Sequence, residues 1–163
     1  MPVIKLETYI KAPLQVVFDL SRSVDVHQTS MKHHNEKVID GVKTGLMSKG
    51  DTVTWQASHL FQNRKLKVKI TEMEAPVFFA DEMLEGDFKK MRHEHYFKAT
   101  GEQLLMTDKF YFETPFGFIG KLADTLFLKN YMTRLLLQRN AEIKRLAEAS
   151  FYNEILNLKE DIK

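Results

Sequence analysis

The sequence predicts an α+β fold in which an antiparallel sheet of about six or seven strands lies against one long C-terminal helix, with two short helices after the first strand. Three observations carry that expectation. The stretch from Phe118 to about Ala149 contains no proline, and its apolar residues (Ile119, Leu122, Leu126, Leu135, Leu136 and Ile143 among them) recur at helical spacing. The chain before it breaks into short runs that alternate apolar and polar residues, the period of half-buried strands. The connections between those runs are short, which favours antiparallel neighbours. A helix of ~32 residues spans ~48 Å at ~1.5 Å per residue, so it needs a sheet beneath it rather than one partner helix.

The elements follow in order. Val3 to Ile10 alternates, with Ile4, Leu6, Thr8 and Ile10 on one face, and reads as a strand. Pro13 stands at a first helical position, and Leu14, Val17, Phe18 and Ser21 share a side, predicting a short helix from Pro13 to about Arg22. A second short helix is expected between Val24 and Lys32, with His33-His34 in a surface loop after it. Lys37 to Ile39 is a short strand, and Gly41, Gly45 and Gly50 punctuate the loop that follows. Asp51 to Phe61 turns Val53, Trp55, Ala57 and His59 to one side, and Asn63-Arg64 reads as a tight turn. Lys65 to Thr71 sets Leu66, Val68 and Ile70 against outward lysines. Pro76 interrupts the pattern, Val77 to Leu84 resumes it, and Gly86-Asp87 turns the chain. Lys90 to Ala99 faces Met91, His93, His95 and Phe97 one way. After Thr100-Gly101-Glu102, the residues Leu104, Met106, Asp108, Phe110 and Phe112 share a face until Pro115.

A chain of 163 residues is expected to form one domain, here 1–149, with 150–163 as a tail that forms a short helix or frays. Cysteine is absent, which excludes disulfides and thiolate chemistry. The N-terminal segment carries Lys5, Glu7 and Lys11 and lacks the apolar core of a secretory signal, so a cytoplasmic protein is expected. No apolar run reaches the length of a membrane span. A formal charge of +2 makes no case for nucleic acid. Lys65, Lys67, Lys69, Lys89, Lys90 and Arg92 are interrupted by Glu72, Glu74 and Glu94, as on a solvated strand face. The long helix is apolar over more than one stripe, and a second subunit or the tail would cover the excess; a monomer or homodimer is expected.

Alternation directs His59, His93, His95 and Asp108 to the face that meets the helix. A carboxylate beside an imidazole sets its tautomer and supports proton transfer, so His93, His95 and Asp108 are the candidate catalytic residues. The simplest use of such groups is a mutually hydrogen-bonded buried network. No metal is expected: His93 and His95 point the same way and His59 offers a third imidazole, but nothing in the sequence places that third ligand. No cofactor is expected either, because no phosphate-cradling glycine loop or nucleophile motif is present.

The segments GDTVTWQASH (Gly50 to His59), MRHEHYF (Met91 to Phe97) and TDKFYFETPFG (Thr107 to Gly117), with GFIGKLADTLFLKNYMTRLLLQRN along the helix, resemble the START-like superfamily. This helix-grip, birch-pollen-allergen-like group includes a bacterial polyketide cyclase and dehydrase-like branch, to which the resemblance is nearest. It covers roughly Val3 to Ala149, with Met91 standing where that branch more often has tryptophan. The resemblance implies a curved sheet that grips the long helix around an apolar cavity. The cavity would be lined by Trp55, His59, Met91, His93, His95, Phe97, Met106, Asp108, Phe110, Phe112, Leu122 and Leu126. The expected function is binding of a small apolar or amphipathic molecule, lipid- or polyketide-like, with the polar residues orienting one end. Alternatives are a cyclase or dehydratase using a His–Asp pair, and a regulatory module that binds a protein partner; the balance leans away from an enzyme.

Overall fold

The computed structural model describes residues 1–59, 62–114 and 121–149, the side chains of 121–125 excepted. Strand β1 (Val3–Ile10) leads into helices α1 (Leu14–Ser21) and α2 (Val24–Ser30) and a 3-10 turn, Lys32–His34. Six strands follow: β2 (Lys37–Gly41), β3 (Thr52–His59), β4 (Gln62–Glu74), β5 (Phe78–Glu85), β6 (Lys90–Thr100) and β7 (Gln103–Glu113). Helix α3 (Lys121–Glu148) closes the described chain. The expected tail at 150–163 and the segment 115–120 lie outside the described residues.

The strands form one antiparallel sheet in the order β1-β7-β6-β5-β4-β3-β2. From β2 to β7 every strand pairs with the next in sequence, while the two short helices carry the chain from one edge to the other. Register shifts between Lys67 and Val68, between Ile70 and Glu72, and between Val38 and Asp40 bend the sheet, so that one face becomes concave. The outer face is charged, and Arg92 there is held by Glu72, Glu82 and Glu94.

Three local readings change. Pro13 is not the first helical residue but the extended residue just before α1. Asn63-Arg64 is strand rather than turn, because the β3–β4 ladder runs on through Ala57–Arg64 and Ser58–Asn63 to His59–Gln62. His33 and His34 lie in the 3-10 turn, and the His34 ring rests 4.8 Å from that of His59. Gly41 has φ +84, and a Cβ there would meet the Thr52 carbonyl oxygen at 2.1 Å, so this edge position accepts only glycine.

The concave face is filled unevenly. Helix α1 buries Val17, Phe18 and Leu20 against one end, with Phe18 edge-on to Phe79 and Phe97 at 5.7 and 5.4 Å. Helix α3 packs on β1, α1 and α2, burying Leu136, Ile143, Leu146 and Ala147 of its C-terminal half. Its N-terminal half lies less deeply: Leu126 and Phe127 are 61% and 57% exposed. No helix among the described residues is long and apolar enough to cross a membrane.

Candidate functional site

Strand register assembles a buried polar cluster beneath α3. His93 and His95 stand two apart on β6 and so share a face. Pairing then sets Asp81 of β5 opposite His93, and Asp108 of β7 opposite His95. Arg139 and Asn140 descend from α3 onto the same group. Asp108 is 0% exposed and lies at the centre. Its Oδ1 is 2.9 Å from His93 Nε2, and its Oδ2 accepts from Asn140 Nδ2 at 2.6 Å. Arg139 donates through Nη1 to Asp108 Oδ1 at 3.4 Å and through Nη2 to the Ser21 carbonyl at 3.0 Å. His95 Nε2 is 3.1 Å from Asp81 Oδ2. Its Nδ1 comes within 3.0 Å of Asp108 Oδ1 but is not aligned for a hydrogen bond.

Burial and these partners set the charges. Desolvation, reinforced by the neighbouring His95, pushes His93 down to about 4 against the pull of Asp108, so His93 is neutral at pH 7. A neutral His93 that donates from Nε2 to Asp108 carries its lone pair on Nδ1. Burial alone would raise both carboxyl groups, but the hydrogen bonds and charges around them prevail. The hydrogen bond from His93 and the close approach of the His95 imidazole hold Asp108 well below the usual carboxylate range, and the bond from His95 lowers Asp81.

Above the cluster lies a cavity of about 530 Å³ between the sheet and α3. Its walls are mostly apolar, with Trp55, Val68, Met91, Phe110, Leu135 and Leu136 among them. Asp81, His93, His95 and Arg139 form a polar patch on the wall, while Asp108 sits behind it and does not line the cavity. A second polar patch gathers elsewhere on the wall from β3, α2 and α3. There His59 Nδ1 meets the Tyr131 hydroxyl at 2.8 Å, the His27 ring stacks on Trp55 at 4.3 Å, and His27 Nε2 lies 2.7 Å from Glu36 Oε1. Burial, followed by repulsion from His34, lowers the pKa of His59.

Of the residues expected to line the cavity, Trp55, His59, Met91, His93, His95 and Phe110 do so. Phe97, Met106, Asp108 and Phe112 are buried in the packed core instead. Phe97 lies under Phe18, and Met106 takes the Ser21 hydroxyl at 3.6 Å, so α1 has already filled that end of the concave face. Leu126 points to solvent, and the side chain of Leu122 lies outside the described residues. Of the proposed acid–base trio, all three come together; His59 stands apart in the second patch.

Several residues of the site were missed. Arg139 and Asn140 follow Leu136 by three and four positions and precede Ile143 by four and three. They therefore occupy the buried stripe, and polar residues on such a stripe were a legible signal. Asp81 alternates with Phe79 and Met83, which places it inward by the same rule. His27 and Glu36 carried no such mark, whereas Tyr131 falls on the apolar stripe of the long helix.

No family model matches the sequence, and no curated protein does. Solved structures do match in shape. The KanY protein superposes with a TM-score of 0.68 at 13% identity, over 91% of this chain and 98% of that one. Major latex-like protein 151 from Panax ginseng gives 0.65 at 16% identity, over 91% and 98%. A START superfamily protein from Mycobacterium smegmatis gives 0.63 at 8% identity, over 88% and 98%. At these identities the likeness is one of fold: an antiparallel sheet laid against a long C-terminal helix.

Proposed function

We propose that this START-like chain binds a small apolar or amphipathic molecule, lipid- or polyketide-like, in the cavity between its sheet and α3. The observation that carries the reading is the cavity of about 530 Å³, apolar over most of its wall and polar in two patches. Its size falls within the range of about 300–1,000 Å³ usual for ligand sites. An apolar ligand entering a cavity of this size releases the water that would otherwise fill it. His93, His95, Asp81 and Arg139 would orient one polar end, and His59 with Tyr131 a second.

Trp55 is the only tryptophan in the chain and stands in the cavity wall, so its emission reports occupancy directly. Titration with anilinonaphthalene sulfonate should give saturable energy transfer from Trp55, displaced by fatty acids or aromatic polyketides. Energy transfer that never saturates, or that no apolar competitor reverses, would refute the reading.

A second reading rests on the His93–Asp108 pair at 2.9 Å. An enzyme of cyclase or dehydratase type would use neutral His93 as a base towards a chain folded in the cavity, with Asp108 fixing its tautomer. Conversion of a polyketide-like substrate, lost in His93→Gln while ligand binding persists, would favour this reading over simple binding.

A further inference from the structure

We propose that Asp81, His93 and His95 form a binding site for one divalent transition-metal ion, opening into the cavity. The ring of His95 stands between two carboxylates. Each of its nitrogens faces a carboxylate: Nε2 lies 3.1 Å from Asp81 Oδ2, and Nδ1 lies 3.0 Å from Asp108 Oδ1. Two carboxylates thus converge on one buried ring, and a cation beside it would offset their charge. The Nδ1 contact is also misaligned for hydrogen bonding.

An ion between Asp81 and the two rings would meet that negative charge. Asp81, His93 and His95 each present one donor atom within 4.8 Å of the others. Bonds of about 2.1 Å set neighbouring ligand atoms about 3.0–3.4 Å apart, and the Asp81–His95 separation already matches that spacing. The third donor closes in by a modest side-chain rotation. With His93 Nε2 and His95 Nδ1 turned towards Asp108, the nitrogens left for the ion are His93 Nδ1 and His95 Nε2.

Asp108 thereby becomes the outer carboxylate that holds the His93 ligand by a hydrogen bond and lies beside His95, as in the second layer of a histidine metal site. Arg139 and Asn140 hold Asp108 in turn. Its charge is met by Arg139, whereas Asp81 has His95 as its side-chain partner among the described residues. A negative charge is thus left at the position where a cation would sit.

Two imidazoles and one carboxylate suit zinc, iron(II), cobalt(II) or manganese(II), and three protein ligands leave coordination positions free. Asp81, His93 and His95 all line the cavity, so those positions open towards it. An oxygen donor on a bound molecule, such as a carbonyl, phenolate or carboxylate, would complete the coordination. The inference does not depend on the ligand-binding proposal, since the ion can be measured alone.

The test is a cobalt(II) and zinc(II) titration of the full chain after treatment with a chelator and dialysis. The expected result is one ion per chain, with visible cobalt bands and a melting temperature raised by zinc. Asp81→Asn and His93→Gln should weaken uptake at least about a hundredfold, and Asp108→Asn by about 10- to 100-fold through lost orientation. The double variant His33→Ala/His34→Ala should bind as the parent does. Folding of each variant is checked by circular dichroism, and Asp81→Asn is the decisive one because it nearly preserves shape in a partly open position. The proposal is overturned if the parent takes up no ion. It is equally overturned if a folded Asp81→Asn protein binds as tightly as the parent, or if uptake disappears with His33 and His34.

Discussion

Replacing Arg139 with leucine tests whether the helix is tied to the sheet by charge as well as by packing. Arg139 reaches Asp108 at 3.4 Å and the Ser21 carbonyl at 3.0 Å, from a side chain that is almost wholly buried. Breaking a buried ion pair by removing one partner costs about 3–5 kcal/mol, because the other charge is stranded. Here Asp108 keeps its contacts to His93 and Asn140, which places the loss near the lower end. The released Ser21 carbonyl adds about 1 kcal/mol. Arg139→Leu should therefore lower stability by about 3–4 kcal/mol in urea unfolding at pH 7, a loss that a domain of ordinary stability survives. Most of it arises from an uncompensated carboxylate, so Asp108→Asn should mask it. The double variant should be at least about 1.5 kcal/mol more stable than the sum of the single losses. Additivity within about 0.5 kcal/mol would show that the two side chains act independently and would refute the reasoning.

Further outcomes follow from other parts of the structure. Burial and His34 lower the pKa of His59, so its ring protons should titrate in NMR with a midpoint below about 6.5, and His34→Ala should raise that midpoint. Because the folded value lies below the unfolded one, the stability linked to His59 is present above about pH 6.5 and is lost as pH falls through the folded value; urea midpoints that rise as pH falls through this window in the parent, but not in His59→Gln, would contradict the sign. Gly41→Ala forces a side chain onto the Thr52 carbonyl at positive φ and should cost at least about 1–2 kcal/mol in urea unfolding, whereas Gly101→Ala, at φ +65 with open space around it, should cost less. Met91→Trp adds bulk to a buried side chain that also lines the cavity. It should cost about 1–3 kcal/mol while reducing saturable dye binding, and unchanged dye binding would contradict the cavity's position.

The fold was legible because each level of the sequence agreed. Period-two strands, short turns and one long amphipathic helix all point to a sheet with a helix laid across it, and the strand ladders realise that pattern. Alternation also identified the inward face: His93, His95 and Asp108 meet because residues two apart, and residues paired across strands, share a side. What alternation cannot tell is the height of the packing above that face. Phe97 and Met106 lie under α1, whereas Met91 and Phe110, on the same two strands and the same face, line open space. The difference lies in how far α1 reaches, which is a tertiary fact. Arg139 and Asn140 were readable as polar interruptions of a buried stripe. The Asp81–His93 pairing required the β5–β6 register, which the loop around Gly86-Asp87 does not fix by itself. The second patch depends on a 3-10 turn and on side chains from three separate elements, and no local pattern announces it.

The claim on which the functional account rests is that the space under α3 holds a molecule. Native mass spectrometry of freshly purified protein, compared with the denatured mass, addresses it most directly. The account predicts a discrete added mass in the native spectrum that is lost on denaturation and can be extracted as an apolar or amphipathic compound. A clean apo mass, together with no saturable displacement of dye from Trp55, would contradict it.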